Sequence, residues 1–156
     1  NDTVILSRIH FTNDYAVLRE ADIIIENAPE DRKVKKNIYK QMDEICQDKC
    51  IFMVNTSCIS ITKIASLIKN PSKVIGTHFM NPVPLKNTIE VIKGFHTSEK
   101  TIESTNEFLE SLGKRSIIVN DFPGFVSNRI SHLFMNEAAF VVQDQVAKPE
   151  DVDDIF

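Results

Sequence analysis

Residues 51–92, IFMVNTSCISITKIASLIKNPSKVIGTHFMNPVPLKNTIEVI, decide the fold. IFMV (51–54) and KVIGTH (73–78) are short apolar runs bounded by polar and turn-forming residues, the pattern of strands buried on both faces of a sheet. Between them Ile61, Ile64, Ala65 and Ile68 recur at helical spacing, with Ser60 placed to cap the helix and Pro71 to stop it. The turn NPVP (81–84) then delivers TIEVI (88–92), a further strand. Strand, helix, strand in this rhythm predicts an α/β domain with a mostly parallel sheet and flanking helices.

The same rhythm extends outward. ADIIIE (21–26) reads as another buried strand, and after Pro29 the residues Val34, Ile38, Met42 and Ile45 mark an amphipathic helix with Glu30 and Asp31 at its positive end. Further upstream, Ile9 to Thr12 alternates weakly and predicts a short strand. On the other side, Thr97 or Ser98 opens a helix carrying Ile102, Phe108, Leu109 and Leu112 on one side, Gly113 closes it, and SIIV (116–119) is a strand. From Gly124 to Val142 the chain is apolar on most sides and has no breaker, which predicts a long, substantially buried helix; Pro149 opens another.

Composition removes whole classes of function. The 156 residues suit one core and leave no room for two complete domains. Four widely separated glycines exclude a Gly-rich phosphate-cradling loop. A net charge of -4 with no basic block argues against a nucleic-acid partner or an anionic membrane surface and for a small molecule or protein. No apolar run approaches the roughly 18 residues of a membrane span, and the N-terminus lacks the pattern of a signal peptide, so a cytoplasmic location is expected. Three cysteines suit a reducing compartment, and Cys46 and Cys50 have no second Cys or His pair at ligand spacing, so no metal site is expected.

Polar residues stand where the buried strands end: Asn55, Thr56 and Ser57 after IFMV, His78 and Asn81 around the third run, and Glu90 inside TIEVI. In open α/β sheets the ligand crevice lies outside the carboxyl ends of the strands. His78 and Glu90 are twelve residues apart, enough for a strand end, a turn and part of a neighbouring strand. An imidazole takes a proton from an alcohol near neutral pH, and a carboxylate on its other nitrogen fixes the tautomer and stabilises the imidazolium. On the residues alone, Ser57 reads more simply as a turn or cap hydroxyl, and Asn128, at the start of the long helix, as a solvent-facing amide.

NTSCISITKIA, then GTHFMNPVPLKNTIEVIKG, then DFPGFVSNRI, in that order and with fitting gaps, resemble the 3-hydroxyacyl-CoA dehydrogenase family, including its bacterial 3-hydroxybutyryl-CoA members. The resemblance implies an NAD-dependent oxidoreductase, with residues 1–121 forming the later part of a Rossmann-type NAD-binding domain and 122–156 the beginning of a helical C-terminal domain that dimerises. Carried over motif by motif, it makes His78 the catalytic base, Glu90 its partner, Ser57 a contact to substrate oxygen and cofactor, and Asn128 a polar group at the reacting carbonyl. Glu30 and Lys35 become cofactor contacts beside the nicotinamide ribose, and Asn55 and Asn81 line the cleft. The implied substrate is a hydroxyacyl thioester of coenzyme A or, as in polyketide-pathway relatives, of an acyl carrier protein. Outside the enzymes, the reading is a non-catalytic binding module, which the intact His–Glu pair disfavours. The family's Gly-rich pyrophosphate turn is absent from the sequence, so the chain is expected to be a piece of a longer homodimeric enzyme, inactive by itself.

Overall fold

The computed structural model describes residues 2–156. Helix α1 (Asp2–Leu6) and a 3-10 turn (Tyr15–Glu20) precede strand β1 (Ile23–Glu26), and helix α2 (Arg32–Ile45), strand β2 (Ile51–Val54) and helix α3 (Ile61–Ala65) follow. Strands β3 (Val74–His78) and β4 (Thr88–Lys93) lead to helix α4 (Glu99–Ser111), strand β5 (Arg115–Asn120), and helices α5 (Ser127–Gln143) and α6 (Pro149–Ile155). Helices α2, α3 and α4 each start on a side-chain cap. The Asp31 carboxylate accepts from the Lys33 and Val34 amides at 2.7 and 2.9 Å, Ser60 caps α3, and Ser98 caps α4. Gly113, at φ 70°, closes α4 in a conformation that costs a side chain dearly.

The strands form one sheet in the order β1-β2-β3-β4-β5, parallel throughout except where β4 runs against β3. Alternate residues feed two cores. Phe52, Val54, Val74 and Ile92 face Tyr39 and Met42 of α2 and Ile61, Ile64 and Ala65 of α3, while Ile51, Met53, Ile75, Ile89 and Val91 face Ile102 and Leu109 of α4. Gly76 lets α3 sit directly on β3: a Cβ there would lie 2.7 Å from Ile61 Cδ1 and 2.8 Å from Ile92 Cβ.

Two expectations are corrected. Residues 9–12 form no strand; they are exposed, Phe11 at 87%, because no neighbouring strand pairs with them. The long helix forms, but α5 has no buried residue, and Ile130, Leu133 and Met135 are more than 60% exposed. Its apolar composition predicted burial, yet among the described helices it packs chiefly against the short α6. No helix among the described residues is long and apolar enough to cross a membrane.

Candidate active site

The antiparallel register builds the centre of the site. His78 is the direct partner of Glu90 across β3 and β4, so both side chains project to the same face, the one shared with α3. The His78 Nδ1 and Glu90 Oε2 atoms are 2.8 Å apart, and both side chains are nearly enclosed. The other imidazole nitrogen, Nε2, faces Ser57 Oγ at 3.2 Å. With Nδ1–H donating to Glu90, Nε2 carries the free lone pair.

Glu90 receives donors on both oxygens. Oε1 accepts the Val126 and Ser127 amides at 3.0 Å each, and Oε2 accepts the Ser127 hydroxyl at 2.6 Å in addition to His78. Burial alone would raise this carboxyl, but the hydrogen bonds from His78, the Ser127 hydroxyl and the two amides outweigh it and hold Glu90 below the usual carboxylate range. The amides reach Glu90 because the chain turns sharply at Gly124 and Phe125, both at positive φ. Phe125 is buried against the His78 ring, with centroids 6.0 Å apart. One residue beyond Ser127, the Asn128 amide donates to the Ser57 carbonyl at 2.9 Å, tying α5 to the loop after β2.

That loop is clamped from the other side by Glu30, whose Oε1 accepts the Thr56 hydroxyl, the Ser57 and Cys58 amides at 3.0 Å, and the Cys58 thiol at 3.4 Å. Desolvation raises the Glu30 carboxyl, the Thr56 and Cys58 contacts and the Ser57 amide lower it more, and the net direction is downward. Asn55 Nδ2 donates to Asn27 Oδ1 at 2.7 Å, joining the ends of β1 and β2. Lys35 has no exposed surface: its ammonium lies 2.9 and 2.8 Å from the Glu26 oxygens, 3.1 Å from the Asn55 carbonyl and 3.3 Å from the Ala28 carbonyl. It lies beneath the cleft rather than on its wall. Asn81 is exposed in the turn after β3 and makes no hydrogen bond to the cluster among the described residues.

The structure therefore brings Ser57, His78, Glu90 and Asn128 together at one end of the sheet, with Asn55 and Glu30 beside them. Sequence reasoning missed Ser127 and Phe125, whose only signal was their place in DFPGFVSN, directly before Asn128. The donor set suits a nicotinamide nucleotide: an exposed carboxylate, a hydroxyl and side-chain amides at the carboxyl ends of β1 and β2 match ribose hydroxyls and a carboxamide. Among the described residues no group of three or more His, Cys, Asp or Glu side chains is arranged to hold a metal ion.

Comparison with known proteins gives this arrangement a context. Residues 2–122 match the family model for the 3-hydroxyacyl-CoA dehydrogenase NAD binding domain, and residues 124–156 match that for the 3-hydroxyacyl-CoA dehydrogenase C-terminal domain. The chain is 44% identical to a probable 3-hydroxybutyryl-CoA dehydrogenase of Deinococcus radiodurans, over 97% of this chain and 55% of that protein. It is also 44% identical to a 3-hydroxybutyryl-CoA dehydrogenase of Clostridioides difficile, over 96% of this chain and 53% of that one. The crystal structure of (S)-3-hydroxybutyryl-CoA dehydrogenase from Ralstonia eutropha superposes with a TM-score of 0.92 at 40% identity, covering 96% of this chain and 53% of its own. The chain spans about half the length of the curated relatives it matches. With a mostly parallel, Rossmann-like sheet leading into helices, and a family model matched over most of its length, the chain belongs to the 3-hydroxyacyl-CoA dehydrogenase family.

Proposed function

We propose that the protein carrying this chain oxidises a 3-hydroxyacyl-CoA to the 3-ketoacyl-CoA with NAD, or runs the reverse reaction, with His78 as general base. The observation that carries the reading is the relay from Ser57 Oγ to His78 Nε2 to Glu90, which leaves one imidazole lone pair facing the cleft and the other nitrogen anchored on a carboxylate. In the oxidising direction His78 Nε2 takes the proton of the C3 hydroxyl while a carbonyl forms at C3, and Glu90 stabilises the imidazolium. When bound, NAD supplies the acceptor for the hydride that leaves C3. Ser57 and Asn128 hold the substrate oxygen, while Glu30, Asn55 and Asn81 line the cofactor side. Lys35 supports that side through the Asn55 carbonyl it grips.

Coenzyme A is the proposed thioester carrier, in keeping with the names of the relatives, with carrier-protein thioesters as the competing substrates to assay. The same proposal divides the chain into a nucleotide-binding part, residues 1–121, and a helical part, residues 122–156, a reading supported by family matches over 2–122 and 124–156. Homodimerisation belongs to the same proposal, supported by the exposed Ile130, Leu133 and Met135 on α5.

The test is an assay of NAD reduction with 3-hydroxybutyryl-CoA, using the longest form of the protein that carries this sequence, with and without His78→Ala. The variant should lose about 10²- to 10⁴-fold in kcat, the usual contribution of a general base, while NAD affinity stays nearly unchanged. Near-normal turnover by the variant would mean that another group is the base.

A further inference from the structure

The proposed chemistry uses His78 and Glu90, but it leaves unexplained why Glu90 is given so many donors. An ionised carboxylate has about four lone-pair sites. Here the protein fills them with the His78 Nδ1–H, two amides from the start of α5 and the Ser127 hydroxyl. Two of these donors are main chain and one is the base itself. Ser127 Oγ is the remaining one, and it shares Oε2 with His78, lying 3.5 Å from His78 Nδ1.

We propose that Ser127 is a positioning residue for the dyad: its hydroxyl holds Oε2 in line with His78 Nδ1 and competes with the imidazole for that oxygen, so that removing it changes the hydrogen bond on which the dyad rests. The inference rests on the dehydrogenase reading for its catalytic meaning, although the geometry does not. A hydrogen bond to the charged form of a carboxylate spreads its charge, leaving less of it to hold a proton on the neighbouring ring. Glu90 lies in the segment matched by the NAD-binding model and Ser127 in that matched by the C-terminal model, so the contact also links the dyad to the entry angle of α5.

The other charged groups around the pair have partners of their own. Glu30 is occupied by residues 56–58, Asp121 accepts from Ser60 and the Thr62 amide, and the Arg129 guanidinium lies over the Phe122 ring at 5.1 Å. On β5 the residue opposite Glu90 is the uncharged Ile117, and His132, further along α5, is exposed. On the carboxylate side of the dyad, Ser127 is thus the side chain through which the pair can be adjusted without adding or removing a charge.

The experiment compares wild type, Ser127→Ala and Ser127→Thr in the protein that carries this chain. Two readouts are used: the pH profile of kcat/KM for 3-hydroxybutyryl-CoA oxidation, and the pH midpoint of the dyad imidazole followed by NMR. Ser127→Ala should move the acid limb and the NMR midpoint upward together, by about half a unit to one unit. Ser127→Thr, which keeps the hydroxyl, should restore both. A uniform fall in rate with both midpoints in place would overturn the assignment and leave Ser127 as packing. Should Ser127→Ala not fold, Ser127→Cys, similar in size and a weaker donor, must shift the midpoints in the same direction, and an unmoved midpoint there is equally decisive. A wild-type protein without dehydrogenase activity would refute the functional reading, while the NMR titration would still decide the role of Ser127.

Discussion

Two buried acid–base pairs lie on the same face of the same sheet, and they are built to opposite ends. Lys35 and Glu26 have side chains 0% and 4% exposed, and His78 and Glu90 are 10% and 6% exposed. Depth does not separate them. What separates them is the fate of the remaining polar atoms. The three donors of the Lys35 ammonium meet two carboxylate oxygens and two main-chain carbonyls, so the pair is closed by protein on every side. Glu90 is equally saturated, but its partner keeps Nε2 facing an exposed serine at the mouth of the cleft. Burial and pairing together mark a well-made interior; a basic lone pair left facing the cleft, with only an exposed hydroxyl beside it, marks a site.

The contrast can be broken first at the closed pair. Lys35→Met leaves the Glu26 carboxylate buried without its cation and should cost about 3–5 kcal/mol in chemical denaturation, whereas removing both charges with Glu26→Leu should recover most of the loss. A small loss for the single variant would mean that water reaches Glu26 and that the pair is not sealed. Next comes the open pair. Glu90→Gln should keep most of the stability, since an amide oxygen still accepts from the Val126 and Ser127 amides, but it should slow hydroxyacyl-CoA oxidation on the order of 10²-fold. If the variant instead unfolds as readily as Lys35→Met and turns over normally, the two pairs are alike.

The smallest effect is the acid response. The Glu90 and Glu30 carboxyls are both held below the ordinary value of 4.5 in the folded state. Each therefore contributes stability that is fully present above the unfolded value and is lost as pH falls through the folded one. Denaturation midpoints measured from neutral pH down through the carboxylate range should fall, and Glu90→Gln should flatten that slope. An unchanged slope would assign the acid sensitivity to other carboxylates.

Much of this is legible in the amino-acid sequence. The apolar runs that become β2, β3 and β4 are short and cleanly bounded, and a histidine and a glutamate embedded in such runs are conspicuous because burying their charge unpaired is costly. The register was not legible: nothing local says that β4 runs against β3, and only that reversal sets His78 opposite Glu90. Nor was the Glu30 clamp, because its four donors lie 26 to 28 residues away in sequence. The exposure of α5 escaped for a related reason: an apolar composition records an appetite for burial without naming what covers the helix. The role of Ser127 depends on the turn at Gly124 and Phe125, where a buried aromatic residue adopts a conformation that its side chain disfavours.

The missing side chain at position 76 has a consequence beyond packing. Two residues before the proposed base, it allows a helix to rest on bare backbone, and that helix follows directly from the loop that presents Ser57. The gap between the serine oxygen and the imidazole is therefore gauged from below, by the absence of one methyl group whose place the Ile61 side chain takes. A single carbon added there would act as a wedge under the loop, detuning the relay while leaving every residue of the relay intact.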